Sequence, residues 1–283
     1  MYRLESRKYH KELQGAVSVA WLAGSVMLHY YDLDYVVTEK ADEASPESAI
    51  FTEVDGRVDG IVQNYFKEVW PDDQLLTEET EPDKRWYEAR RIWTIDPIDG
   101  TLGYRKKTGS FGISIALIKD GRPVLGVLYA PVHHHLAWAV IGEGAYLNGV
   151  KVALFQKASV STILCSSNAI HRPAYKRVLK ALDPEHRFTI TSTESVVMKA
   201  LLILRKEGDI YPIVPVSEET PSAPKFWDIA AADILLHEAG GRVTTFQGET
   251  YQYNLSDVRC INGVLMGTKT GHELALRRLQ SSF

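Results

Sequence analysis

Trp93-Thr94-Ile95-Asp96-Pro97-Ile98-Asp99-Gly100-Thr101 is the stretch that decides how this chain is read. Its first residues are apolar and β-prone, so they read as a strand that ends at Asp96. A tight turn follows, with a second carboxylate at Asp99, then Gly100 and the hydroxyl of Thr101. Two carboxylates that close, at the open end of a strand, repel each other unless cations neutralise them. Oxygen ligands without Cys or His nearby favour a hard cation, Mg²⁺ or Mn²⁺, over Zn²⁺. Asp, Pro and Gly are also ordinary turn residues, so a plain Asx-type turn accounts for the stretch taken alone.

Upstream, Leu13, Val17, Ala20, Trp21, Gly24 and Leu28 fall at helical spacing. Lys40 to Ser48 is polar and contains Pro46, which reads as a mobile loop. Val54, Val58, Ile61, Val62, Tyr65, Phe66 and Val69 form the apolar face of a second helix, which Pro71 stops. Leu75 to Thr77 reads as a short strand leading into Glu78-Glu79-Thr80. Downstream, Phe111–Ile118, Val124–Tyr129 and Leu136–Ile141 read as strands, with a hairpin turn at Asp120-Gly121. Strands and helices then alternate. Strands are expected at 161–165, 188–191, 209–214 and 264–266, and helices at 173–182, 195–206 and 228–239. Gly240-Gly241 stops the last of these helices, and Thr270 with Glu273 forms a capping-box start for a terminal one. The change of pattern near 150–160 divides an N-terminal α+β half, 1–155, from a C-terminal α/β half, 156–283.

Asp55, Glu78-Glu79, Asp96 with Asp99, and Asp228 each sit at the edge of an apolar segment. Singly, each has a structural explanation. Asp55 can close a capping box with Thr52, Glu78 and Glu79 can be a solvated loop, and Asp228 can cap its helix. Together they supply what a site for two cations about 3.5–4 Å apart requires.

The central stretch, Glu78-Glu79-Thr80 and Trp227-Asp-Ile-Ala-Ala-Ala-Asp-Ile-Leu-Leu-His-Glu-Ala-Gly-Gly241 resemble the inositol monophosphatase superfamily, as does Gly142-Glu-Gly-Ala-Tyr-Leu-Asn-Gly149. Its members are Mg²⁺-dependent, lithium-sensitive phosphomonoesterases. The resemblance implies a layered αβαβα sandwich of the inositol monophosphatase and fructose-1,6-bisphosphatase type. It also implies roles. Glu78, Asp96 and the carbonyl of Ile98 hold a first metal, and Asp96, Asp99 and Asp228 a second. A third, weaker ion leans on Glu78, while Glu79 stands behind the ligands or is exposed. Thr101, oriented by Asp55, positions the attacking water, and the backbone of Gly100 and Thr101 faces the phosphate. Two or three Mg²⁺ ions are expected, with Mn²⁺ as a substitute.

Within the superfamily, the segment from Thr101 to Ile118 lacks the Asn-Phe of inositol phosphatases. Its basic loop, Arg105-Lys106-Lys107, and its Gly-x-Phe are closer to the 3'(2'),5'-bisphosphate nucleotidases, as are Lys225-Phe-Trp-Asp228, His237–Gly241 and Lys199. Lys199 and Lys225 are the expected partners of a second, uncleaved phosphate, although each can equally be an ordinary surface lysine. Ser217 to Pro224 and Leu102 depart from that branch. The expected reaction is hydrolysis of 3'-phosphoadenosine 5'-phosphate to AMP and phosphate by cation-activated water. The alternatives are an inositol or broad sugar-phosphate phosphatase, and a catalytically silent nucleotide or metal sensor. The intact acidic set and Thr101 argue against the sensor.

The rest of the composition narrows the partners. The chain has 283 residues and a net charge of −4, which offers no basic surface for nucleic acid. No apolar run is long enough to span a bilayer, and Met1 to Lys11 lacks the apolar core of a signal peptide. Two cysteines make no disulfide framework and suit a reducing cytoplasm. A small phosphate ester is therefore the expected partner of a monomer or homodimer. His133-His134-His135 cannot all face one ion from a strand, since neighbours alternate sides, and reads as a solvated turn. Gly142-x-Gly144 lacks the third glycine of a dinucleotide fingerprint.

Overall fold

The computed structural model describes residues 8–39, 50–81, 83–154, 159–217 and 222–281. Helix α1 (His10–Tyr31) is followed by the short strands β1 (Val37–Glu39) and β2 (Ile50–Thr52). Helix α2 (Glu53–Val69), strands β3 (Gln74–Thr77) and β4 (Arg91–Asp99) and the short helix α3 (Thr101–Arg105) carry the chain to the central turn. Strands β5 (Gly112–Lys119), β6 (Arg122–Ala130), β7 (His135–Val140), β8 (Gly144–Leu147) and β9 (Val150–Val152) complete the first half. Then come β10 (Thr162–Cys165), α4 (Pro173–Leu182), β11 (Thr189–Ser192), α5 (Val196–Leu204), β12 (Ile210–Ile213), α6 (Phe226–Ala239), β13 (Arg242–Thr244), β14 (Val264–Gly267) and α7 (Lys269–Gln280).

Among the described residues, β3 to β9 form one seven-stranded sheet in sequence order, antiparallel except for the parallel pair β3–β4. A five-stranded sheet has the order β11-β10-β12-β14-β13. The period of two along β4 and β5 assigns each residue to a layer. Trp93 and Ile95 with Ile113, Ile115 and Leu117 pack under α1 and α2. Ile92, Ala116 and Ile118 face the other way, onto α5 and α6. The same two helices cover Leu164, Tyr211 and Met266 of the second sheet. Ile163, Ile210 and Leu265 point outward beneath α4 and α7. The result is five layers, helices–sheet–helices–sheet–helices, as the resemblance implies. Helix α6 turns apolar residues both ways because a sheet lies on either side of it.

Several boundaries differ from the sequence reading. Strand β4 does not stop at Asp96. Its ladder with β5 slips between Asp96 and Asp99 and resumes at Asp99–Gly112, so Pro97 and Ile98 form a bulge within the strand rather than a turn after it. The last helix is capped by Thr268, whose side chain accepts the Gly271 amide, and not by Thr270. Strands β1, β2, β8, β9 and β13, three or four residues long, have no counterpart in the sequence reading. The expected loop Lys40–Ser48 lies outside the described residues, as does part of Ser217–Pro224. His133 and His134 lie in the turn from Pro131, where the His134 amide meets the Pro131 carbonyl at 3.2 Å. His135 opens β7 against Arg205.

Candidate active site

Three separate segments bring carboxylates to the end of β4. Asp96 lies on the inner face of that strand, Glu78 just beyond the parallel strand β3, and Asp228 in the first turn of α6. One oxygen from each lies within 4.8 Å of the others. The Glu78 amide continues the β3–β4 ladder by donating to the Ile95 carbonyl at 3.2 Å, which places Glu78 beside Asp96. Asp228 reaches back to accept the Lys225 amide at 2.6 Å, which stops its side chain from turning to solvent.

A cation fits this arrangement on two counts. Asp96 Oδ1 is buried and has no hydrogen-bond partner among the described residues, and a buried orphan acceptor is costly without a ligand. The electrostatics agree. Burial holds Asp96 well above the ordinary carboxylate range, and the charges of Glu78, Asp99 and Asp228 add to it. Asp228 is raised in the same way, by burial first and then by Glu78. With about 2.1 Å from a Mg²⁺ ion to each oxygen, its ligands lie roughly 3–4 Å apart, which falls inside the 4.8 Å that bounds this cluster.

Asp99 is placed differently. Its Oδ2 accepts from the Ser195 hydroxyl and from the Val197 amide at 2.6 Å, and its Oδ1 from the Val196 amide at 3.2 Å. It caps the first turn of α5 while standing close enough to raise Asp96 and Asp228. Burial lifts Asp99 itself, and the α5 contacts with the charge of Lys199 oppose that rise.

Thr101 and Asp55 meet as expected. Thr101 Oγ1 lies 3.1 Å from Asp55 Oδ1 and 3.1 Å from the Ile98 carbonyl, so its one proton has two possible acceptors. Asp55 also closes the capping box of α2: its Oδ2 accepts the Thr52 amide at 2.9 Å and the Thr52 hydroxyl. The helix cap and the Thr101 contact therefore coexist on one carboxylate. Burial raises the Asp55 carboxyl to about 6, and Thr52 and Thr101 limit the rise. Gly100 has φ +86°, and a Cβ there would lie 2.5 Å from the Ser110 carbonyl, so the turn before Thr101 has no room for a side chain.

The two lysines are not alike. Lys199 is fully buried, and its ammonium donates to the carbonyls of Thr193 at 2.8 Å and Ser195 at 2.9 Å over the ring of Tyr211. The structure thus corrects the surface-lysine reading: Lys199 is buried, and two of its three ammonium donors are spent on backbone carbonyls. Burial lowers it to about 8, with Asp99 opposing the fall. Lys225 stands half-buried at the start of α6, with its ammonium 5.3 Å from the ring centre of Trp227 and its charge lowering Asp228. Sequence reasoning passed over Ser195. Its only signal was a serine four residues before a lysine at the head of an apolar helix.

This fold and this acidic cluster define a class, and the comparisons agree with it. The sequence profile of the inositol monophosphatase family matches residues 8–282. The chain belongs to that family and is a phosphoric monoester hydrolase. The inositol-1-monophosphatase of Bacillus subtilis is 30% identical over 208 residues, 72% of this chain and 75% of that one. The 3'(2'),5'-bisphosphate nucleotidase CysQ of Escherichia coli is 28% identical over 240 residues, covering 82% and 89%. The fructose-1,6-bisphosphatase/inositol-1-monophosphatase of Thermotoga maritima is 27% identical over 224 residues, covering 79% and 80%. Among solved structures, the extragenic suppressor protein suhB of Bartonella henselae superposes with a TM-score of 0.80 at 21% identity, covering 96% of this chain and 100% of that one.

Proposed function

We propose that this enzyme is a Mg²⁺-dependent phosphatase in which Glu78, Asp96 and Asp228 hold the cations, and that its substrate is a nucleoside 3',5'-bisphosphate. The observation that carries the cation assignment is the orphaned, buried Asp96 Oδ1 at the centre of three converging carboxylates. Asp99, close enough to raise Asp96 and Asp228, and the Ile98 carbonyl, on the bulge between Asp96 and Asp99, are assigned to the cluster when ions are bound. Bound there, the cations offset the charge of the phosphate dianion and make the attacking water more acidic.

The chain's own groups do the rest. Thr101 Oγ1 passes its proton toward Asp55 Oδ1, which leaves an oxygen lone pair free to accept a hydrogen from the attacking water. Asp55, buried and raised to about 6, is a stronger acceptor than an exposed aspartate. Gly100 and Thr101, at the start of α3, offer backbone amides to the phosphoryl oxygens. The basic segment Arg105-Lys106-Lys107, at the end of α3, and Lys225, at the start of α6, supply positive charge for a second phosphate. Lys199 donates to two backbone carbonyls, and Lys225, whose ammonium lies over the Trp227 ring at the start of α6, is assigned to the second phosphate.

A second reading, inositol phosphate, is favoured by the identity to the Bacillus subtilis inositol-1-monophosphatase. kcat/KM measured side by side on 3'-phosphoadenosine 5'-phosphate and inositol 1-phosphate separates the two. The nucleotide is expected to be preferred by tenfold or more, on the order of one charge-assisted contact. Equal or reversed preference assigns the enzyme to inositol phosphates. Millimolar Li⁺ is expected to inhibit with either substrate.

A further inference from the structure

Helix α2 carries a second row beside its apolar one. Asp55, Asp59, Gln63 and Lys67 recur every fourth residue and share a face. Asp55 serves Thr101; the other three are joined to each other and to the turn that presents Glu78. That turn is closed by a bridge between Thr77 and Thr80, with Glu78 and Glu79 at its tip. Thr80 Oγ1 donates to Asp59 Oδ2 at 3.1 Å. Gln63 Nε2 lies 2.6 Å from both Asp59 Oδ2 and Thr80 Oγ1. Lys67 Nζ donates to Gln63 Oε1 at 2.6 Å, which turns the amide so that its nitrogen faces Asp59.

Asp59 is only 5% exposed, and its Oδ1 has no hydrogen-bond partner among the described residues. Among the described residues its bonds come from a neutral amide and a hydroxyl. A buried carboxylate held so lightly is a poor anchor for stability alone. Its position behind a cation ligand gives it another use. A ligand that arrives already oriented loses less freedom when the ion binds, and groups standing behind ligands typically set metal affinity within a factor of 10–100.

We propose that Asp59 is a positioning residue for cation binding: acting through Thr80, with Gln63 and Lys67 as its brace, it fixes the Glu78–Glu79 turn against α2. The proposal rests on the reading of Glu78 as a cation ligand. It makes α2 a single rail that orients both the Thr101 hydroxyl, through Asp55, and the Glu78 carboxylate, through Asp59.

The test is calorimetric Mg²⁺ binding to the full chain, with the melting temperature of the metal-free protein recorded alongside. Thr80→Val removes the hydroxyl at nearly constant shape; Thr80→Ser keeps it; Asp59→Asn removes the charge. Thr80→Val and Asp59→Asn are expected to weaken Mg²⁺ binding about tenfold or more, with Thr80→Ser near wild type and kcat at saturating Mg²⁺ within about twofold. Thr80 is at the surface end of the contact, so the Val/Ser pair decides the matter even if Asp59→Asn fails to fold. If wild type binds Mg²⁺ and Thr80→Val binds it as tightly, Asp59 and Thr80 are merely structural and the proposal is overturned alone. A wild type that binds no Mg²⁺ overturns the cation reading and this proposal together.

Discussion

At Asp55 a helix cap and the contact proposed for catalysis use the two oxygens of one carboxylate. Asp55 must stay at the head of α2 to satisfy Thr52, and the same rotamer aims its other oxygen at Thr101. Thr101→Ala should therefore lower kcat about 100-fold or more with little change in melting temperature, and Thr101→Ser should recover most of it. Steady-state kinetics with a melting curve checks both. Lys199 is the opposite case. Lys199→Met leaves the Thr193 carbonyl without its ammonium donor, leaves the Ser195 carbonyl only the backbone amide of residue 199, and removes the charge that lowers Asp99. It should cost about 2–4 kcal/mol of stability in denaturant titration. The carboxylates were legible in the sequence because their type and order carry the chemistry. Lys199's position was not. Nothing in Met198-Lys199-Ala200 says which face of a wholly apolar helix a lysine will occupy, and here all faces are covered.

Helix α6 shows how an element can be obvious in kind and obscure in detail. Its length and the Gly240 stop, at φ +90°, were readable. Its contact with β6 was not, because it depends on one missing side chain. A Cβ on Gly126 would lie 2.5 Å from Ile234 Cγ2 and 2.9 Å from the Ala231 carbonyl of α6. Backbone cannot give way as a side-chain tip can, so Gly126→Ala should destabilise by about 1–3 kcal/mol, measured by chemical denaturation. Because α6 also carries Asp228, the same variant should weaken Mg²⁺ binding. The bulge at Pro97-Ile98 escaped the sequence for a related reason. A proline among turn residues suggests the end of a strand, and only pairing with β5 reveals that the ladder resumes.

Over the whole molecule, the five layers place three acidic segments, drawn from both halves of the chain, around a single point. This convergence is unfavourable in the absence of cations, and the pH dependence follows with a definite sign. The folded-state values of Asp55, Asp96 and Asp228 are raised, Asp55 to about 6 from an ordinary 3.8. A raised group stabilises the fold fully below its unfolded value and loses that contribution as pH rises through its folded value. Metal-free protein should thus lose stability between about pH 4 and pH 7, about 3 kcal/mol from Asp55 alone. Saturating Mg²⁺ should remove or reverse the loss, and Asp96→Asn should reduce it. Calorimetric melts across that range, with and without Mg²⁺, measure each of these. The layer order itself was legible only through resemblance to a family, since periodicity marks which face of a strand is buried but not what covers it.

The most direct measurement is a crystal structure of the enzyme grown with Mn²⁺ and read by anomalous scattering. The account predicts an anomalous peak between Glu78, Asp96 and Asp228, within about 2.2 Å of an oxygen of Asp96. Anomalous density elsewhere, with Asp96 Oδ1 still unliganded, would contradict it.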